Sequence, residues 1–144
     1  MRKKERSEQS MEICGKKIPR HYPGNGGDIA LLELCDPVKF TPTVQPIGIA
    51  PIHTDVTGYA TVAGWGVTRE SGPQSRILRA VKVPIVDQNK CRRAYGFIDK
   101  GHICAGDYNT GGRDSCQGDS GGALWWKHPK THQIYQVLLQ IASF

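Results

Sequence analysis

An all-β fold is what this 144-residue sequence predicts. Short apolar runs bounded by Gly, Pro and Asn recur along the chain, and amphipathic helical periodicity is confined to one brief stretch. No apolar run approaches the roughly eighteen residues of a membrane-spanning helix. With a hydrophobic fraction of 38%, the chain suits one globular domain, and no fixed repeat points to a solenoid. The expected architecture is a sandwich or barrel of short strands.

Residues 1–17 read as a basic tail followed by a partial strand, and residues 18–144 as the globular domain. Within that domain, residues 29–34, 59–66, 77–86, 101–105, 123–126 and 134–142 are the expected strands, each an apolar run closed by turn-forming residues. One helix is expected over 88–94. Asp87 caps it by accepting the first free backbone N–H groups, and Gly96 ends it. Residues 36–57 contain Pro37, Pro42, Pro46 and Pro51 and read as a long connection that joins two sub-barrels.

The net charge is +6, yet the basic residues are scattered and no nucleic-acid motif accompanies them, so neither nucleic acid nor membrane is an expected partner. The start, Met1-Arg2-Lys3-Lys4, is basic but has no apolar stretch behind it, so no secretion signal is visible and the tail reads as solvated. Five cysteines are present, Cys14, Cys35, Cys91, Cys104 and Cys116, without the Cys-x-x-Cys and His pattern of a zinc site. Disulfides are expected, no metal is, and the odd count leaves at least one thiol without an internal partner. Cys14 and Cys35 lie on segments that could pair as antiparallel strands around the turn at 23–27, where a disulfide would join them.

Chemistry is concentrated in Gly112-Arg113-Asp114-Ser115-Cys116-Gln117-Gly118-Asp119-Ser120-Gly121-Gly122. A serine hydroxyl is a weak nucleophile until a base removes its proton, and the oxyanion formed on attack needs preorganised donors. Glycines on both sides of Ser120 let backbone approach a substrate closely. A Gly-rich surface turn would explain a shorter run, and Gly-x-Ser-x-Gly alone also fits an α/β-hydrolase, which requires a strand before the serine and a helix after it. The whole run resembles the nucleophile segment of trypsin-like serine proteases. That resemblance implies that Ser120 is acylated and that the N–H groups of Gly118 and Ser120 form the oxyanion hole.

Other segments carry the same resemblance in the family's order. Asp28-Ile29-Ala30-Leu31-Leu32 is similar to the motif of the catalytic aspartate, although an Asp after Asn25-Gly26-Gly27 would by itself be read as a turn residue. Gly64-Trp65-Gly66, the Cys91 and Cys104 pair around a short helix, and Ile141-Ala142-Ser143-Phe144 follow as further landmarks. The resemblance covers residues 18–144 and implies a double six-stranded β-barrel. It assigns Asp114 to the floor of the specificity pocket, with cleavage after Arg or Lys, although Arg113 could instead hold that carboxylate in an internal ion pair. Ser143 takes the position that hydrogen-bonds the catalytic aspartate. A disulfide between Cys91 and Cys104 is implied, and Cys116 matches a cysteine whose partner has no counterpart here.

The family's general base lies in Ala-Ala-His-Cys, well before the aspartate, and no such segment occurs in this sequence. His21 is the only histidine upstream of Asp28 and stands too close to it, while His53, His102, His128 and His132 follow it in loop-like segments. The Ile-Val-Gly-Gly activation site, whose freed ammonium pairs with the residue at Asp119, is also absent. The expectation is an incomplete copy with both barrels unfinished and almost no proteolysis of its own. The resemblance implies an extracellular serine endopeptidase with no cofactor, acting on protein or peptide substrates with Arg or Lys at the cleavage site and met by protein inhibitors. A non-catalytic homologue serving as a binding or regulatory module, with Trp125-Trp126 supporting partner contacts, is the alternative.

Overall fold

After Tyr59, the segment Tyr59–Gly64 is made of small and β-branched residues, and those from Ala60 to Val62 are buried. Apolar side chains that alternate across a strand can all be covered only if both faces of the sheet are packed, which places this segment at the centre. The computed structural model describes residues 7–20, 22, 28–69, 71–96, 98, 101–107, 118–138 and 141–142. Its elements are β1 (Ile13–Lys17), β2 (Leu31–Leu34), β3 (Gly48–Ile49), β4 (Tyr59–Gly64), β5 (Arg79–Val86), α1 (Gln88–Tyr95), β6 (Ile103–Ala105), β7 (Leu124–Lys127), β8 (Ile134–Leu138) and β9 (Ile141–Ala142). The all-β expectation holds, with one short helix.

The chain divides into two units, Met1–Pro46 and Ile47–Phe144. In the first, β1 and β2 form an antiparallel pair in which Ile13 faces Leu34 and Lys17 faces Leu31. Cys14 and Cys35 are joined across it, the pairing that an antiparallel arrangement of those segments allows. Both strands keep large apolar residues exposed, among them Ile13, Leu31 and Leu32.

In the second unit, seven strands run in the order β3-β8-β7-β4-β5-β6-β9, with β4 in the middle. Antiparallel pairing joins β4 to both β5 and β7, and β7 to β8, while β3–β8 and β6–β9 are parallel. Ala60, Val62, Val83, Ala105, Leu124 and Trp126 form the core over these strands. Trp126 is 2% exposed, and its indole N–H donates to the Thr57 carbonyl at 2.8 Å, so the one polar atom of a large buried ring is satisfied. Trp126 is therefore a core residue and not a partner contact, and its neighbour Trp125 is half-buried.

The helix is capped as expected: Asp87 accepts from the N–H groups of Asn89 and Lys90, and the Gly96 N–H reaches the Arg92 carbonyl at 2.8 Å. Cys91 and Cys104 are both fully buried and bonded to each other, which fastens α1 to β6. The loop they close would contribute about 3 kcal/mol by the chain-entropy argument.

Strand ends differ from the sequence expectation for local reasons. The strand expected from 77 starts at Arg79, because the Ser75 hydroxyl both donates to the Ile77 carbonyl and accepts its N–H. That local closure removes Ile77 from the ladder. The strand expected to reach 66 ends at Gly64, because the Gly66 N–H is committed to a carboxylate.

Burial separates two apolar substitutions. Leu124→Ala, at a side chain with no exposure, should cost about 2–5 kcal/mol in urea unfolding. Ile52→Ala, at a side chain 85% exposed, should stay within about 0.5 kcal/mol of the parent.

Candidate active site

Ser120 is exposed in the turn that leads into β7. The Gly122 N–H donates to the Asp119 carbonyl at 2.9 Å, closing a four-residue turn with Ser120 as its second residue and Gly121 as its third. Gly121 has φ 81°, the left-handed value that a type II turn requires at that place. Gly118, two residues before the serine, also lies in the left-handed region at φ 97°. A side chain at either position would be strained. Sequence and geometry agree here, since the glycines around Ser120 sit where backbone needs them.

The turn is anchored by its own aspartate. The Asp119 carboxylate, half-buried, accepts the Gly66 N–H at 2.7 Å, a short charge-assisted bond across 53 residues of sequence. There is no room there for a side chain on the facing strand end. A Cβ on Gly66 would lie 2.5 Å from the carboxylate carbon of Asp119, and one on Gly64 would overlap Oδ1. The Gly-Trp-Gly landmark thus has a physical role, which is to let a carboxylate lie flat against backbone. Gln74 closes the other side. Its amide nitrogen is 3.1 Å from where a Cβ on Gly118 would be, and the bridge between Val67 and Gln74 holds its loop.

Neither contact was evident from residue types. An exposed amide such as Gln74 carries no sequence signal, and Gly64-Trp65-Gly66 is legible as a family landmark without the contact that Gly64 and Gly66 make room for. Asp28 is exposed and lies three residues before β2, in the first unit. Asp114, Ser143, Cys116, His21 and Arg113 lie outside the described residues. His53 and His132 are exposed turn residues with φ 63° and 60°. His128 Nδ1 accepts the N–H groups of Lys130 and Thr131, and its ring stands edge-on to Trp126 at 5.3 Å. His102 carries its carbonyl to the Gln88 amide. Among the described residues no group of three or more His, Cys, Asp or Glu could hold a metal.

After Ser120 the chain enters strand β7, where an α/β-hydrolase needs a helix. That alternative is removed.

The anchor predicts an asymmetry between glycines. Gly66→Ala should destabilise the protein by about 1–3 kcal/mol through overpacking against Asp119 and open the 118–122 turn to proteolytic nicking. Gly48→Ala, whose Cβ would meet Tyr135 at an ordinary 3.4 Å, should do neither.

Comparison with known proteins agrees with this arrangement. The family model described as Trypsin matches residues 1–139. Trypsin eta of Drosophila melanogaster is 46% identical over 101 residues, covering 67% of this chain and 38% of its own length. Trypsin of Simulium vittatum is 43% identical over 102 residues, covering 67% and 41%, and Trypsin-1 of Astacus astacus is 41% identical over 126 residues, covering 83% and 52%. The chain spans about two fifths to one half of the length of these curated relatives. With a family match across nearly all of the sequence and a strand-borne serine turn of the kind described, the chain belongs to the trypsin family of serine proteases.

Proposed function

We propose that Ser120 is the nucleophile of a trypsin-type endopeptidase site that cleaves after Arg or Lys. The observation that carries this reading is the turn itself. Ser120 stands exposed at a corner whose flanking glycines are left-handed and whose Asp119 is bonded to Gly66. A surface turn has no need of a half-buried carboxylate bonded to a distant strand end, whereas a nucleophile does need a fixed approach.

The division of labour is the one established for this family and is not deduced from this chain. Ser120 Oγ attacks the scissile carbonyl carbon and gives its proton to an imidazole. The N–H groups of Gly118 and Ser120 take the oxyanion, collapse expels the amine, and water then releases the acyl group from Ser120. Asp28 orients the imidazole and Ser143 supports Asp28. Asp114 receives the guanidinium or ammonium of the substrate, because a carboxylate in a desolvated pocket requires a cationic partner. Protein or peptide substrates with Arg or Lys, and protein inhibitors that mimic them, are the matching partners. The disulfides Cys14–Cys35 and Cys91–Cys104 support an oxidising compartment, and we assign the protein to the extracellular space.

No histidine of this sequence occupies the family's place for the base. The 144-residue chain alone is therefore expected to be nearly silent toward an arginine ester, with kcat lower by on the order of 10⁶ than that of a complete triad. The missing base also favours a second reading, a non-catalytic homologue that binds or regulates. The native message separates the two. If it supplies Ala-Ala-His-Cys ahead of Asp28, its product should hydrolyse Arg and Lys esters, lose that activity on Ser120→Ala, and lose its basic preference on Asp114→Ser. If it supplies no such histidine, the non-catalytic reading replaces the first. Rapid saturable hydrolysis by the present chain, abolished by Ser120→Ala, would refute its expected silence.

A further inference from the structure

The cations that look scattered in the sequence are in part gathered by the fold. At about 100° per residue, Asn89, Lys90, Arg92 and Arg93 share an arc of roughly 160° on α1, centred opposite Cys91. All four are exposed, whereas Cys91 is fully buried and bonded to Cys104. The helix contains no acidic residue, and the Asp87 carboxylate is occupied by the backbone N–H groups of Asn89 and Lys90. Among the described residues, none of Lys90, Arg92 and Arg93 meets a carboxylate. Arg93 Nε donates only to the Asn89 carbonyl, at 3.4 Å.

Helix stability explains part of this set. Arg92 and Arg93 lie in the last turn, where cations complement the helix dipole. Lys90 lies in the first turn, where the dipole disfavours a cation, so three charges on one arc that meet no carboxylate among the described residues have no complete account in folding. The arc is also rigid. Cap, disulfide and the Gly96 closure fix an eight-residue helix about 12 Å long, so the cations are presented with little ordering cost to a ligand.

We infer that this arc of α1, with Lys90, Arg92 and Arg93, docks a sulfated polysaccharide. Guanidinium groups bind sulfate oxygens through paired charge-assisted hydrogen bonds, and a linear polyanion can engage all three cations along one helix face. The choice of anion follows from the compartment. A protein with two disulfides works where conditions are oxidising, and there sulfated glycans are the abundant linear polyanions. This goes beyond the proteolytic reading and does not depend on it, since α1 carries none of the proposed catalytic residues.

The test uses the whole chain and heparin, with affinity measured across a salt series. The K90Q/R92Q/R93Q variant keeps good helix formers on the exposed arc, and K82Q/R69Q/R76Q removes equal charge from exposed positions elsewhere in the same unit. Mapping the Cys91–Cys104 disulfide by mass spectrometry checks the link from α1 to β6 in each, and circular dichroism with thermal unfolding matching the parent shows that the fold is kept. Heparin affinity should fall on the order of tenfold to a hundredfold in the α1 variant, and the slope of log affinity against log salt should drop by about two to three. The control should stay within about threefold of the parent. Equal losses in the two variants, or no loss in the first, would overturn the proposal. Binding of duplex DNA as tight as that of heparin of matched charge would overturn the choice of a sulfated glycan.

Discussion

The bond from the Gly66 N–H to the Asp119 carboxylate is the constraint on which the Ser120 site rests. It joins the residue next to the serine with the end of the central strand, so the turn inherits the rigidity of the best-packed part of the sheet. A charge-assisted bond in a half-buried place is worth about 1.5–3 kcal/mol, on the order of the backbone entropy lost in fixing one or two residues. The same contact explains why two glycines frame Trp65. Any side chain at either would displace the carboxylate and, with it, the backbone of Gly118 and Ser120.

Packing around β4 makes that anchor effective. Leu124 and Trp126 of β7 and Val83 of β5 close over β4 from neighbouring strands, and the Trp126 indole reaches back to Thr57. The segment after Ser120 is therefore immobilised within four residues of it, while the residue just before it, Asp119, is bonded to Gly66. If Ser120 is the nucleophile proposed above, a turn held in this way does not have to be ordered by the substrate, which is what orientation contributes to acyl transfer.

Much of this was legible in the sequence, and the losses have physical causes. The strands containing Tyr59, Val83 and Leu124 announce themselves because buried β-structure demands β-branched and apolar residues, and Asp87 and Gly96 announce α1 because helix ends need caps. The Ser120 run was legible because its length and order leave few alternatives. Strand ends were not, since the Ser75 hydroxyl at Ile77 and the Asp119 carboxylate at Gly66 compete with the ladder through contacts that residue type does not reveal. The two-residue strand β3 was hidden in a Pro-rich connection, because parallel pairing with β8 is decided far away in sequence. Trp125-Trp126, offered as supporting partner contacts in the non-catalytic reading, splits between half-buried and buried because successive residues on a strand face opposite sides. The basic arc of α1 depends on where Cys91 points, which only its disulfide settles.

Amide hydrogen exchange at Gly66 tests the anchor most directly, because its N–H is the donor and lies just beyond the end of β4. The account predicts protection comparable to that of the β4 amides, lost in Asp119→Ala while the β4–β5 ladder stays protected. Exchange of the Gly66 amide in the parent protein at the rate of an open loop would show that the Ser120 turn is not tied to the sheet and would contradict the account.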